Sequence, residues 1–587
     1  REVFTKQGTL TELAGEYEGM EIDEAKRAIT DDLRDEGYLY DEEDVEQSVG
    51  CCWRCDTPIE ILAEEQWFIE VRQDEILGKA REVEWIPDHA YTRLEEWTES
   101  MEWDWVISRQ RVFATPFPVW YCDDCGEPKF ASRDEIPVDP TEEDPEGVCD
   151  DCGSSDFVPE NDVMDTWMDS SISALYVGGW GIDKGDDGFE VTQLREQGHD
   201  IIRTWAFYTI LRTAALEEEI PWEEALINGM VFGDDGNKMS KSRGNFVQPE
   251  EVVEEYGADA FRQAMASAGR PGSDIQFQWK EVERASKFLT KTWNIYRFAL
   301  SDVSKEAYPE YDPDAPPSLR LADRWILTEL ADVVDEVEEA MDDHRFDLAL
   351  QKVREFTWNE VADDYVELVK GRLYETDDDS EEYEAVRWTL RTLLESVVTM
   401  VSPVAPFFAE EVYSGLRDES VNQADWPEVV VYDDDARRRG EVLADVVASV
   451  RRWKSDEGIA LNAELDRVEV YTEHEIDRLD ASNALNADVV VDDGEPDLEE
   501  VPVGVDADMS VIGPKYKDDA GGIVSALESE DPESVAEQKL EGAVEVDVDG
   551  ETIELTSDAV EVENELRSRG REVDVVETDD ATVLIFE

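Results

Sequence analysis

Gly236–Pro249 reads GNKMSKSRGNFVQP, fourteen residues with three cations, two glycines and no carboxylate. Within it Lys238-Met239-Ser240-Lys241-Ser242 sets two ammonium groups three residues apart. Gly236 and Gly244 flank them and let the backbone turn tightly toward a ligand. Lysine is a compact point charge on a flexible stem, suited to following a phosphate as charge moves. The chain around this loop is acid-saturated, with 149 Asp+Glu against 53 Lys+Arg, and only 17 of the cations are lysine. A polar loop that avoids carboxylates in such a chain is expected to face an anion; the plainer alternative is a solvated lysine loop.

The flanks extend the reading. Asp234-Asp235-Gly236 is a turn signal, and Pro249 with Glu250 and Glu251 opens a helix carrying acids in its first turn. Upstream, strand-like Ala225–Ile227 and Met230–Phe232 alternate with helical Ile202–Ala215, the pattern of a doubly wound parallel sheet. Ligands of such sheets gather at the carboxyl ends of the strands. Four more stretches lack acid: Trp105–Cys122, Ile201–Leu216, Ala260–Ser273 and Arg284–Ser301. Burial accounts for part of this, since buried carboxylates are costly.

The lysine loop resembles the second signature, KMSKS, of the class I aminoacyl-tRNA synthetases. Asn228–Ala266 looks like the valine/isoleucine/leucine branch, and three further stretches are similar to archaeal valyl enzymes: Gly198–Trp205 (GHDIIRTW), Asp162–Trp167 (DVMDTW) and Trp103–Arg111 (WDWVISRQR). The resemblance runs from Arg1 to about residue 470. It implies ATP with Mg2+, L-valine and tRNA(Val) as reactants: valine is activated to the adenylate, then transferred to tRNA. It also implies the site. Lys241 would stabilise the charge developing on ATP, and Lys238 would support the loop, with Met239, Ser240 and Ser242 completing the ATP-binding set. Asp200 would receive the substrate ammonium, while Trp167, Ile201 and Trp205 would shape an apolar pocket.

Such a pocket discriminates poorly, because one methylene is worth about 1–3 kcal/mol and a hydroxyl isostere is equally hard to reject. The family accordingly carries a hydrolytic editing insertion that would act on mischarged threonine, and residues 1–60 resemble its tail. The first signature of the class, His-x-Gly-His, has no counterpart: His89, His199, His344 and His474 are far apart. The chain also opens in mid-pattern without Met, so it is expected to be an N-terminally truncated fragment, inactive by itself.

Cys122-x-x-Cys125-Gly and Cys149-x-x-Cys152-Gly are separated by 23 residues. Two such knuckles predict a closed, structural Zn2+ site, with a redox dithiol pair or buried free thiols as alternatives. Cys52 and Cys55 supply two more thiols; the resemblance implies a second zinc knuckle whose other half precedes the editing insertion.

From about Val282 the pattern turns helical. Ile326, Leu330, Val333, Val334, Val337 and Met341 follow amphipathic spacing, as does Tyr383–Val401, stopped near Pro403 and Pro406. This predicts a helical bundle, which the resemblance identifies with the anticodon-binding domain. Arg284, Lys287, Lys291 and Arg297 with Phe288, Trp293, Tyr296 and Phe298 read either as an RNA-contacting stripe or as a helix with one buried face. Near the end, Val544, Val546 and Val548 precede Asp549-Gly550, with Ile553 and Leu555 after it, a hairpin signature. Val573–Val576 and Val583–Phe586 read as further strands.

The expected architecture is thus multidomain α/β: the C-terminal half of a class I Rossmann-type nucleotide-binding fold with a zinc module, then an α-helical anticodon-binding bundle and a small α/β C-terminal domain. The expected boundaries are 1–60 (editing tail), 61–117 (return into the catalytic domain), 118–158 (zinc knuckles), 159–235 (second half of the Rossmann domain), 236–284 (lysine loop and stem contact), 285–435 (helical bundle) and 436–587 (C-terminal domain). At 587 residues and 66.8 kDa several domains are required. A net charge of −96 excludes a simple basic nucleic-acid binder, while 41% hydrophobic residues and 18 Trp exclude a disordered acidic tail. Acid-rich, lysine-poor surface suits molar salt, where the Debye length is about 3 Å, so a halophilic source is expected. The longest uncharged apolar run, Ser396–Ala409, spans 14 residues and holds two prolines, too short to cross a bilayer. No signal peptide is visible, and the seven clustered cysteines suit metal ligation in a cytoplasmic, monomeric protein. Two other readings stay open at this point, the isoleucine enzyme and a non-catalytic zinc-bearing RNA-binding module.

Overall fold

A computed structural model describes residues 3–43, 45–46, 48–52, 57–62, 64–181, 188–241, 244–375 and 380–586. The chain divides into two units, Arg1–Ile227 and Asn228–Glu587.

In the first unit, Ala225, Leu226 and Ile227 form an apolar run without alternation, and all three are buried. Such a run belongs to a strand covered on both faces. It lies in Trp222–Asn228, which pairs in parallel with Glu84–Ile86 on one side and neighbours Thr192–Gly198 on the other. Helices Gln73–Ala80, Ala90–Glu99 and Phe207–Glu217 supply Ile76, Leu94, Phe207 and Ile210 to the core that holds Trp85 and Trp222. Each such side chain stabilises the fold by about 1.5–3 kcal/mol through burial. This is the doubly wound half-fold expected from the sequence. Strand Val119–Cys122 is the centre of a separate three-stranded sheet with Pro128–Phe130 and Phe157–Pro159.

In the second unit Val231–Phe232, expected in the doubly wound sheet, instead pairs in parallel with Ile275–Gln276, and from Trp279 to about residue 456 the unit is helical. Helices Trp279–Val303, Leu321–Asp342, Phe346–Phe356, Val366–Glu375, Glu381–Val401, Pro406–Leu416 and Asp434–Asp456 share one core. The predicted stripe behaves as its spacing demands: Ile326, Leu330, Val334 and Val337 are buried, and Val333 and Met341 pack against them. Pro406 occupies the first turn of its helix, where its missing N–H costs nothing. Helix Asp434–Asp456, which the expected boundary at 435 assigns to the C-terminal domain, buries Val442, Leu443, Val446 and Val450 in this same core.

The C-terminal strands then close a four-stranded sheet in the order Ala487–Asp492, Leu465–Tyr471, Thr582–Phe586, Asp574–Glu577. Leu465–Tyr471 and Ala487–Asp492 run parallel, with helix Arg478–Leu485 between them in the chain. The hairpin is present: Ala543–Val548 pairs with Glu551–Thr556, and Asp549 (φ 54°) with Gly550 (φ 89°) makes the two-residue turn. Both central residues need positive φ, which Asp-Gly supplies. Among the described residues no helix is long and apolar enough to cross a membrane.

Candidate functional site

The lysine loop lies in the second unit and is tied down by side chains that carry no positive charge. An antiparallel bridge joins Phe232 to Lys238, and Gly236 and Gly244 both take φ of 73°. Asn245 organises the rest. Its Oδ1 accepts from the Ser240 amide at 2.9 Å, and its Nδ2 donates to the Asp235 carboxylate at 3.1 Å and to the Lys238 carbonyl at 3.3 Å. The Asn237 amide and the Asn245 side chain hold the Asp235 carboxyl below its ordinary value. Met239 points inward and packs on the cluster of Val252, Ala260 and Ala264. Lys238 and Lys241 are exposed; among the described residues neither has a carboxylate partner, and the Lys241 ammonium sits 5.4 Å over the Phe246 ring. A backbone fixed by Met239 and Asn245 with two uncommitted ammonium groups is the arrangement that binding a polyphosphate requires. Ser242 lies outside the described residues.

The other predicted site residues belong to the first unit. Asp200 is exposed in the short turn His199–Ile201, directly after strand Thr192–Gly198. A Cβ on Gly198 would come within 2.6 Å of the Asp200 carboxylate, so a side chain there would displace it. Ile201 is half-buried, and the following π-helical turn Ile202–Ala206 carries Trp205. Trp205 is buried: it stacks on Trp222 at 5.2 Å, lies 4.3 Å from the Arg195 guanidinium, and donates to the Ser170 carbonyl. Its ring is therefore engaged by protein neighbours. Trp167 is half-buried, 6.4 Å from Tyr208, whose ring also meets Trp105 at 3.8 Å and Phe207 at 5.4 Å.

Two features here were not singled out from sequence. Asp165 is 5% exposed, caps the Trp167 amide, and accepts from Arg109 and Trp105. Gln197, 6% exposed, has no hydrogen-bond partner among the described residues for either side-chain amide atom. Asp165 lies inside the DVMDTW stretch and Arg109 inside WDWVISRQR, so the signal was the stretch rather than the pairing.

The four knuckle cysteines converge in the first unit. Their sulfurs all lie within 4.8 Å of one another, with Cys122 to Cys152 at 3.4 Å and Cys125 to Cys149 at 3.6 Å. A tetrahedral ion with Zn–S bonds of about 2.3 Å needs sulfurs about 3.8 Å apart, so the donor set fits. Burial pushes the Cys122 thiol up, but the amides of Cys125 and Asp124 outweigh it and bring it down to about 7. The Glu127 amide favours a thiolate at Cys125, yet the neighbouring sulfurs push that thiol up to about 12. Four crowded sulfurs cannot all ionise without a cation among them. Cys52 is half-buried, and Cys55 lies outside the described residues.

Residues 5–278 match the class I tRNA synthetases (I, L, M and V), and residues 323–470 match the anticodon-binding domain of tRNA ligase. The valine–tRNA ligase of Natronomonas pharaonis is 58% identical over 100% of this chain and 67% of its own length. That of Methanosarcina barkeri is 48% identical over 99% of this chain and 66% of its own. The chain thus spans about two thirds of the length of these relatives. Among solved structures, the LeuRS–tRNA–LeuAMS ternary complex of Agrobacterium radiobacter K84 aligns over 58% of this chain and 45% of that one, at 21% identity and a TM-score of 0.45. With the lysine loop, the doubly wound half-fold and the helical bundle all in place, the chain belongs to the valine–tRNA ligase family of class I aminoacyl-tRNA synthetases.

Proposed function

We propose that this chain supplies the second half of the adenylate-forming site and the tRNA-docking bundle of a valine–tRNA ligase. The valine carboxylate attacks the α-phosphorus of ATP, pyrophosphate leaves, and the terminal ribose hydroxyl of tRNA(Val) then displaces AMP from the acyl carbon. Lys241 and Lys238 take the charge that builds on the phosphates, with Mg2+ as the further counter-charge, and the Asn245 anchor positions them. Asp200 receives the valine ammonium, and Ile201 and Trp167 line its isopropyl group. The observation that carries this reading is the lysine loop itself, two exposed ammonium groups without carboxylate partners among the described residues, in a chain with 149 acids.

The Cys122, Cys125, Cys149 and Cys152 set holds Zn2+ as a structural ion, which requires reduced thiols and so a cytoplasmic setting. Residues 1–60 form the tail of an editing insertion that hydrolyses mischarged threonine. The acid-saturated surface is an adaptation to concentrated salt.

Valine-dependent ATP–pyrophosphate exchange tests the central claim on the full-length polypeptide that contains this sequence. Lys241→Ala is expected to lower the exchange rate about 10²-fold or more, the scale of losing one transition-state donor. An unchanged rate defeats the assignment, and preferential activation of isoleucine defeats the choice of amino acid.

A further inference from the structure

Several enclosed or half-buried arginines of this acid-rich chain have carboxylate partners. Arg372 pairs with Asp323 and Asp480, Arg391 and Arg417 share Glu395, and Arg437 meets Glu329 and Asp332. Half-buried Arg354, on helix Phe346–Phe356, is bonded to no carboxylate among the described residues, and in this it resembles Arg212, which donates to the Met168 carbonyl and Ser171 Oγ. Arg354 projects between helices Ala258–Ala266 and Trp279–Val303, and its contacts are neutral: Gln263 Oε1 at 3.2 Å, Ser267 Oγ at 3.4 Å, and the face of Phe288 at 5.9 Å. Among the described residues its buried Nε has no hydrogen-bond partner, and neither has Nε2 of Gln263, a residue that is 0% exposed. Desolvation pushes the guanidinium down to about 10. The nearest carboxylate influence is Glu281, which is already bonded to Arg284 at 3.0 Å.

A desolvated cation without an anion costs stability unless something else supplies the charge. The two helices beside it are those of the acid-free stretches Ala260–Ser273 and Arg284–Ser301. On the second, Arg284, Lys287 and Lys291 follow an i, i+3, i+7 spacing that places them on one face, and Arg284 is near enough to bias Arg354. The Lys291 ammonium is paired with Asp363 at 2.7 Å and lies 4.9 Å over the ring of Trp358, which is 38% exposed. The aromatics of the same helix, Phe288 and Tyr296, are buried, so its cations and not its rings face outward. Arg354 and Trp358 both fall within residues 323–470, the part that matches an anticodon-binding domain.

We propose that Arg354 is a receptor for an RNA phosphodiester, with the exposed Arg284 and Lys287 beside it continuing the backbone track. Guanidinium matches phosphate geometry in a bidentate way, and a weakly hydrated guanidinium tolerates the half-buried notch that an ammonium would not. The assignment rests on the tRNA reading above and adds a contact point to it.

The test is fluorescence anisotropy of labelled tRNA(Val) transcript binding to this chain across a series of KCl concentrations. Arg354→Gln is expected to weaken binding about tenfold and to reduce the slope of log K against log [KCl] by about 0.7–0.9, the share of one phosphate. Arg354→Lys should keep most of the slope while losing affinity. A purely structural arginine would leave the slope where it was, so Arg354→Gln with wild-type affinity and slope overturns the assignment. Should that variant fail to fold by circular dichroism, Arg284→Gln combined with Lys287→Gln reads the same slope from exposed positions, and an unchanged slope there overturns it equally. If the wild-type chain binds no tRNA at all, the tRNA reading falls and this contact with it.

Discussion

Asp364 shows how a single carboxyl can be forced out of its ordinary range. It is half-buried on the π-helical segment Thr357–Tyr365; desolvation, with Glu360, Asp363 and Asp445 around it, raises its pKa to about 7 against the pull of Arg451. The unfolded value is about 3.9. Between these values the native state binds the proton more tightly, so this group favours folding at low pH and loses that contribution as pH rises toward 7. Asp364→Asn should therefore match wild type in urea melts at pH 4 and exceed it by on the order of 1–2 kcal/mol at pH 8, after discounting for solvent screening. A variant less stable than wild type at pH 8 would show the charged form to be well compensated. None of this was legible in the sequence: Asp363-Asp364 reads as one more acidic pair, and only the fold brings Asp445 to it.

At the scale of elements, the convergence of the four knuckle cysteines was legible in full and the surroundings of the motif tryptophans only in part. A Cys-x-x-Cys-Gly knuckle is a local device. The Gly126 and Gly153 amides bond back to the Cys122 and Cys149 carbonyls at 2.8 and 2.9 Å, so the sequence specifies each turn without help. The expected stoichiometry is one Zn2+ per chain by mass spectrometry of the metal. Cys149→Ser should weaken the thiolate charge-transfer bands of the cobalt-substituted protein and lower the melting temperature; wild-type band intensity with an unchanged melting temperature would sink the site. The tryptophans differ because they meet across the fold. Trp205 and Trp222 lie 17 residues apart, yet stack at 5.2 Å because a strand and a helix start face each other. A tryptophan in a motif says nothing about whether its ring is open to a ligand or covered by another ring.

Across the whole molecule, charge governs stability more than any single contact does. At −96 the surface carboxylates repel one another, and only dense screening removes that cost. Lowering KCl from about 3 M to about 0.1 M lengthens the Debye length from roughly 2 Å to about 10 Å. The melting temperature should fall by well over 10 °C in that change, measured by circular dichroism; insensitivity to salt would remove the halophilic reading. Where exposed charges depend on salt, the buried triad does not. Arg372 is fully enclosed, donates to both oxygens of Asp323 at 2.8 and 2.9 Å, and reaches Asp480 at 3.1 Å, while the Tyr365 hydroxyl completes Asp323 at 2.8 Å. It ties the helical bundle to helix Arg478–Leu485 of the C-terminal sheet. The core and the triad both run across residue 435, the expected domain boundary.

What the sequence determined alone is everything governed by neighbours within a few residues: the lysine loop, the cysteine knuckles, the Asp549-Gly550 hairpin and the amphipathic helices. Their physics is turn geometry, ligand spacing and periodic burial, which a short stretch carries complete. The tertiary structure decided which charges are compensated. Arg354 left with neutral partners, Arg372 held between two carboxylates and Trp205 closed off by Trp222 all depend on what distant segments bring into contact. Electrostatic and stacking energies depend on distance through space, and chain order does not encode it.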